Sequence, residues 1–234
     1  PWKCIDAVEA ATQLDFDAGM ARERELFNEC LASPQAKGLM YSFFAERAAN
    51  KVSGITKETP VAKVARGGVI GAGTMGGGIA MNFANAGIPV RITDATQEAL
   101  DGGLAKIRSN YERSVKSGRF DMAEVDRRMA LIEPTLDMAD FGDVDYVIEA
   151  VFEEMEIKRD MFRRLDAACK PDAILASNTS YLNIDEIAGE TGRANQVLGT
   201  HFFSPANVMR LLEIVRGTKT DPTTLAEWLA LGVA

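Results

Sequence analysis

Residues 71–76 read Gly-Ala-Gly-Thr-Met-Gly, and their flanks limit the folds open to the chain. A short apolar run, residues 68–70, comes before them, and an amphipathic stretch, residues 74–86, follows. The glycines therefore sit in a strand-to-helix turn. Gly71 permits the tight turn. Gly73 lets the backbone approach a pyrophosphate at the positive end of a helix, and Gly76 lets that helix pack close on the strand. Asp94 ends the next apolar run, 18 residues after Gly76. Its carboxylate can accept hydrogen bonds from adenosine ribose hydroxyls, and its charge opposes a 2′-phosphate. The pattern thus predicts NAD rather than NADP. A glycine-rich turn in another α/β protein, with Asp94 capping a helix, would use the same letters; the strand before and the helix after favour the dinucleotide.

From about residue 64, short apolar runs alternate with amphipathic stretches. The runs are 68–70, 90–93, 146–151, 173–176, 197–198 and 211–215. Leu100, Leu104, Ile107, Tyr111 and Val115 form a helical stripe, weakened by Gly102 and Gly103. Ile157, Met161, Leu165 and Cys169 form another, ended by Pro171. This alternation predicts an α/β fold over residues 63–234: a Rossmann-type, mostly parallel sheet with helices on both faces. Residues 51–62 hold Gly, Pro and three hydroxyl residues without a sustained period, which predicts a linker. Residues 1–50 read as a helical segment. Asp17 suits an N-cap for a helix carrying Met20, Phe27 and Leu31. Ser33-Pro34 starts another, with Leu39, Met40, Phe43 and Phe44 at helical spacing and Arg47 on the far turn. These helices lack a core of their own and are expected to pack on something else.

Composition removes several classes of function. Lys and Arg number 26 against 34 Asp and Glu, a formal charge of −8, which argues against nucleic acid and anionic membranes as main partners. No apolar run approaches the roughly 20 residues that span a bilayer. Cys4, Cys30 and Cys169 form no CxxC, which argues against a disulfide framework or a thiolate zinc site and for a reducing compartment. His201 is the single histidine, so a multi-histidine metal site is excluded and no metal is expected. The chain opens on Pro1 without an initiator Met, and is expected to start inside a longer protein.

Four motifs stand in register: GAGTMGGGIA (71–80), VIEAVFEEMEIK (147–158), SNTS (177–180) and HFFSPANVMRLLEIV (201–215). With them, the segment from Gly71 to Glu213 resembles the 3-hydroxyacyl-CoA dehydrogenase family, and most of all the dehydrogenase part of multifunctional fatty-acid β-oxidation enzymes. The resemblance implies NAD-dependent oxidation of 3-hydroxyacyl-CoA to 3-oxoacyl-CoA. It implies that Met75 and Asp94 contact the cofactor, that Val151, Phe152 and Glu153 lie beside the nicotinamide ribose, and that Lys158 is a further cofactor contact. Ser180 would place a hydroxyl near the nicotinamide and the substrate oxygen. His201 would be the catalytic histidine and Glu213 its carboxylate partner. Ser204 stands where many members have Asn; a hydroxyl can replace some of the amide's hydrogen bonds.

The stretch SPQAKGLMYSFFAERAA (33–49) and the helices before it resemble the tail of a hydratase/isomerase domain. The family places an all-helical domain after the sheet, which is expected to be absent from this chain. Residues 228–234 depart from the family pattern, as a truncation scar or a different tail would. The implied partners are an acyl-CoA and, for the full-length parent, a homo-oligomer or a thiolase-containing complex. Cytoplasm fits a bacterial parent, with the peroxisome left open. The alternative in another class is an NAD-binding module without turnover of its own, acting as part of a larger complex.

Oxidising a secondary alcohol with NAD requires a base for the hydroxyl proton, and histidine, with an ordinary pKa of about 6.5, suits that exchange. Alternation over residues 209–216 puts Met209, Leu211, Glu213 and Val215 on one face and Arg210, Leu212, Ile214 and Arg216 on the other. Glu213 is thereby predicted to be buried among apolar neighbours, where a carboxylate needs a partner, and His201 is a candidate. On the residues alone, a structural histidine and a solvated carboxylate serve as well; the resemblance favours the pair. In the acidic cluster, Glu154 is predicted to pair with Lys158 along a helix. Glu149 and Glu153 end a strand, where open α/β sheets bind ligands.

Overall fold

The computed structural model describes residues 1–49, 51–56 and 58–232. It divides into two compact units, Pro1–Ile55 and Thr56–Ala234, with the boundary inside the stretch predicted as a linker. The predictions that reach Asn50, Lys57, Val233 and Ala234 fall outside the described residues.

The first unit holds three helices, α1 (Trp2–Gln13), α2 (Phe16–Ala32) and α3 (Pro34–Ala49). Asp15, not Asp17, caps α2: its side chain accepts from the Ala18 N–H at 2.9 Å. Asp17 lies in the first turn, where its charge favours the helix dipole. Ser33 Oγ accepts from the Ala36 N–H at 3.1 Å, and Pro34 takes the first helical position. Leu26 is the one buried apolar residue among those described in this unit, while Phe16 and Tyr41 are 81% and 78% exposed. Three helices that bury so little have no core of their own.

In the second unit, strands and helices run β1 (Gly67–Ile70), α4 (Thr74–Asn85), β2 (Val90–Thr93), α5 (Gln97–Lys116), α6 (Met122–Met129), β3 (Ile132–Pro134), β4 (Tyr146–Glu149), α7 (Met155–Ala168), β5 (Ile174–Ser177), α8 (Ile184–Ala188), β6 (Val197–Phe202), β7 (Leu212–Val215) and α9 (Pro222–Gly232). They form one seven-stranded sheet in the order β3-β2-β1-β4-β5-β6-β7. Every neighbouring pair is parallel except β6–β7. Side chains alternate across each strand, so Val69 joins Ile79, Ile92, Ile107 and Trp228 on one face. Ile70 joins Phe141, Phe162 and Leu165 on the other. This is the mostly parallel sheet with helices on both faces that the alternation predicts.

Three features depart from the sequence reading. Strand β3 and helix α6 carry too little apolar signal to be foreseen: each has a single buried residue, Ile132 and Val125. Pro134 is tolerated in β3 because that strand is the sheet edge. Gly103 does not weaken α5 but is required by it. A Cβ there would stand 2.4 Å from the Ala72 carbonyl oxygen, so the helix lies directly against the glycine turn. Trp228, in the stretch that departs from the family pattern, packs into the core of the unit. Trp228 is buried at 1% exposure, edge-to-face on Tyr146 with ring centroids 5.3 Å apart. Beside it Glu227 clamps the entry of the unit, accepting from the Tyr146 hydroxyl at 2.7 Å and the Ala62 N–H at 3.3 Å.

Replacing Trp228 by Ala is expected to cost about 3–5 kcal/mol, the range for emptying a large aromatic site. Trp228→Phe should cost far less, because Nε1 has no hydrogen-bond partner among the described residues. Trp2→Ala, at a 78% exposed position, should stay within about 0.5 kcal/mol. Urea unfolding checks all three, and a tolerated Ala at 228 would mean that α9 is not part of the core.

Candidate functional site

The glycine turn, Asp94, the 151–153 loop, Ser180 and Ser204 all follow the carboxyl ends of parallel strands. β1 lies between β2 and β4, the point where the chain changes its direction of travel across the sheet. Open parallel sheets form their ligand crevice there. Gly71 has φ of +100°, and a Cβ on it would meet the Ala150 carbonyl oxygen at 2.7 Å. At Gly76 a Cβ would meet the Gly71 carbonyl oxygen at 1.8 Å. Gly73, at the N-cap of α4, differs: no atom lies within 4 Å of its absent Cβ. The turn is closed behind and open in front, over the unpaired N–H groups of a helix start. That arrangement fits a pyrophosphate. Asp94 lies beside it, accepting from the Ala72 N–H and the Ala95 N–H, each at 2.7 Å. Met75 is half-buried in the first turn of α4.

A second group forms where β4 and β5 end. Glu149 and Ser177 are register partners and both are fully buried. Glu149 Oε1 accepts from Lys158 Nζ and from the Val151 N–H, each at 2.7 Å, and Oε2 accepts from the Ser177 hydroxyl at 2.6 Å. Lys158 Nζ also lies 3.2 Å from Glu153 Oε2. The predicted Glu154–Lys158 pair is therefore replaced. Glu154 sits at the N-cap of α7, while Lys158 shares the buried stripe of that helix with Phe162 and Leu165 and faces inward. Glu153 Oε1 accepts from the Thr179 hydroxyl at 2.5 Å and from the Ser180 N–H at 2.7 Å. Partial burial pushes the Glu153 carboxyl up, but these bonds and the Lys158 ammonium hold it below the usual carboxylate range. Val151 is half-buried, Phe152 is 79% exposed, and the Ser180 side chain is exposed.

The third group joins β6 to β7. His201 and Glu213 are antiparallel register partners, and His201 Nδ1 lies 2.7 Å from Glu213 Oε2. The Phe203 ring flanks the imidazole, centroids 4.8 Å apart. The alternation placed Glu213 with Leu211 and Val215, but its inference of burial is wrong. The Glu213 side chain is 53% exposed, with Leu211 at 56% and Val215 at 45%. Leu212 and Ile214 point the other way, half-buried. β7 is an edge strand, so one of its faces meets solvent. Ser204 follows β6 and is exposed.

Asn178, missed as a site residue, ties the second group to the third: its Oδ1 accepts from the Phe202 N–H at 2.9 Å. Thr179 was also missed, and Glu149, placed at the ligand-binding end of its strand, was not recognised as the partner of Lys158. A signal for Glu149 was present, since Lys158, Phe162 and Leu165 share a helical stripe. A lysine on an apolar stripe needs a buried counter-charge. Beside the glycine turn opens a cleft of about 620 Å³, lined by Gly73, Lys106, Asn110, Arg113, Arg119 and Asn207 among others, basic in an otherwise acidic protein. Among the described residues no group of three or more His, Cys, Asp or Glu could hold a metal, and no helix is long and apolar enough to cross a membrane.

Residues 66–233 match the family described as 3-hydroxyacyl-CoA dehydrogenase, NAD binding domain. The chain is 44% identical over 230 residues to a peroxisomal bifunctional enzyme of Cavia porcellus, covering 97% of this chain and 32% of that protein. It is 37% identical over 235 residues to a peroxisomal fatty acid beta-oxidation multifunctional protein of Arabidopsis thaliana, covering 99% and 32%. The chain thus spans about a third of the length of the curated relatives it matches. Among solved structures, (S)-3-hydroxybutyryl-CoA dehydrogenase from Ralstonia eutropha superposes with a TM-score of 0.72 at 35% identity, covering 73% of this chain and 60% of that one. The dehydrogenase part of multifunctional enzyme 1 from C. elegans gives 0.70 at 28%, covering 78% and 42%.

Glu153 makes the site acid-sensitive in a defined direction. A carboxyl whose folded pKa is lowered stabilises the fold above its unfolded value, about 4.3, and loses that contribution as pH falls through the lowered folded value. Glu153→Gln should flatten the fall in stability over that acid window and leave the slope near neutrality unchanged. Urea midpoints measured from pH 7 down to pH 3 check it. An unaltered acid slope would remove Glu153 from the account.

Proposed function

The chain belongs to the 3-hydroxyacyl-CoA dehydrogenase family through that family's NAD-binding domain, and from that premise we propose that its site serves the NAD-dependent oxidation of a 3-hydroxyacyl-CoA to a 3-oxoacyl-CoA in fatty-acid β-oxidation. The observation that carries the proposal is the His201–Glu213 pair, 2.7 Å apart at the end of the sheet that also bears the glycine turn. NAD, when bound, supplies the hydride acceptor. The chain supplies the binding and the proton transfer. Gly71, Gly73, Met75 and Gly76 would hold the pyrophosphate at the start of α4, and Asp94 the adenosine ribose. Val151, Phe152 and Glu153 would border the nicotinamide side, with Lys158 fixing Glu153 from below.

Glu213 engages Nδ1 of His201, which leaves Nε2 to take the proton of the substrate hydroxyl. The carboxylate then stabilises the imidazolium. Ser180 and Ser204, both exposed at the same edge of the sheet, offer hydroxyls to the reacting groups. The cleft with Lys106, Arg113 and Arg119 suits the phosphates of an acyl-CoA. The helices of the first unit we read as the tail of a hydratase/isomerase domain, supported by relatives whose alignments cover 97% or more of the chain. The names of those relatives support the peroxisome over the cytoplasm as the working compartment.

One observation favours the second reading, an NAD-binding module without turnover: the Glu213 side chain is half exposed, so water competes for the proton-transfer pair. Two measurements on the 234-residue chain decide between them. NADH should bind more tightly than NADPH, and Asp94→Ala should narrow that gap; equal affinities in the unaltered chain would sink the cofactor reading. Acetoacetyl-CoA reduction by NADH should be detectable, and His201→Gln should lower kcat by about 10²–10⁴-fold with NADH affinity little changed. Glu213→Gln should give a smaller loss. NADH binding without any turnover would select the second reading.

A further inference from the structure

Glu149 takes no part in the chemistry proposed above, yet it is the most completely enclosed charge in the second unit. It is 0% exposed, and a bare carboxylate in that environment costs several kcal/mol. It persists because three donors from three places converge on it: the Val151 N–H, Lys158 Nζ on α7 and the Ser177 hydroxyl on β5. The Glu149 backbone carbonyl adds a fourth link, accepting from the Asn178 N–H at 2.8 Å. Both loops of the second group are thus anchored to this one residue: the loop at 150–154 through Val151, the loop at 178–180 through Ser177 and Asn178.

The anchoring continues outward. Lys158, fixed by Glu149, lies 3.2 Å from Glu153 Oε2, and Glu153 Oε1 holds the Thr179 hydroxyl and the Ser180 N–H. Asn178 holds the Phe202 N–H, next to His201. None of these links reaches Asp94, whose carboxylate accepts from the Ala72 and Ala95 N–H groups. We propose that Glu149 is a positioning residue for the nicotinamide half of the cofactor site: through Lys158 and Glu153 it sets the backbone that carries Ser180, and it leaves the adenosine half independent. This rests on the NAD reading proposed above.

The test compares two probes on the 234-residue chain, NADH and ADP-ribose, which lacks the nicotinamide. Glu149→Gln keeps the shape but removes the nearer of the two carboxylates that face the Lys158 ammonium, leaving Glu153. It should weaken NADH binding about tenfold, the scale of one lost hydrogen bond to a charged group, and leave ADP-ribose within about twofold. Amide hydrogen exchange at Ser180 should speed up in the same variant, while exchange at Ala72 stays unchanged. Ser177→Ala, which removes one of the three donors, should give the same selective pattern more weakly and covers the case in which Glu149→Gln does not fold. Equal weakening of both ligands, or no weakening of NADH, would overturn the assignment and leave the NAD reading intact. Failure of the unaltered chain to bind either ligand would overturn both.

Discussion

Behind the turn from β1 to α4 there is no room for a methyl group at Gly71, Gly76 or Gly103. The absent Cβ of Gly76 points into the Gly71 carbonyl oxygen, and that of Gly103 points into the Ala72 carbonyl oxygen. Three backbones, a strand end and two helices, therefore meet at van der Waals distance. The consequence is positional. α4 starts against the sheet with its free N–H groups at the carboxyl edge, and the open side of Gly73 becomes the face a phosphate can reach. With any larger residue at Gly76 the helix start would shift away from that edge.

Around this backbone contact the charges are divided by depth. The His201–Glu213 pair lies outermost, with Glu213 on an edge strand whose outward face is half exposed. Beneath, Glu149 and Lys158 are sealed from water and hold the loops that surround the site. Exposed ion pairs contribute little and rearrange readily, whereas a buried pair is costly to break and so acts as a rigid spacer. A site built this way keeps its frame sealed from water while the His201–Glu213 pair stays in contact with it.

Much of this was legible in the sequence, for identifiable reasons. The glycine turn was readable because each glycine answers a local steric demand; the His201–Glu213 pair was readable only through the family resemblance, since alternation gave Glu213 a face but no partner. The burial of Glu213 was misjudged because alternation assigns a face but not what covers it, and β7 turned out to be the edge of the sheet. The Lys158 partner was misjudged for the complementary reason. Spacing along α7 offered Glu154, but the helix turns Lys158 toward the sheet, where a strand-end carboxylate nine residues earlier waits. Strand β3 and helix α6 hold one buried side chain each and left no period to detect. Gly103 looked like a flaw in α5 because the helix's own sequence contains nothing about the neighbour it must approach.

Glu227 has a mechanical consequence. Its carboxylate joins the Ala62 N–H, where the chain enters the second unit, to the Tyr146 hydroxyl at the start of β4, and Trp228 packs on the same ring. The first residues of the unit and its last helix thus meet at one point, at the amino end of β4. The clamp thereby ties the first residues of the unit to α9 at a point remote from the glycine turn and the His201–Glu213 pair, which lie at the opposite end of the sheet.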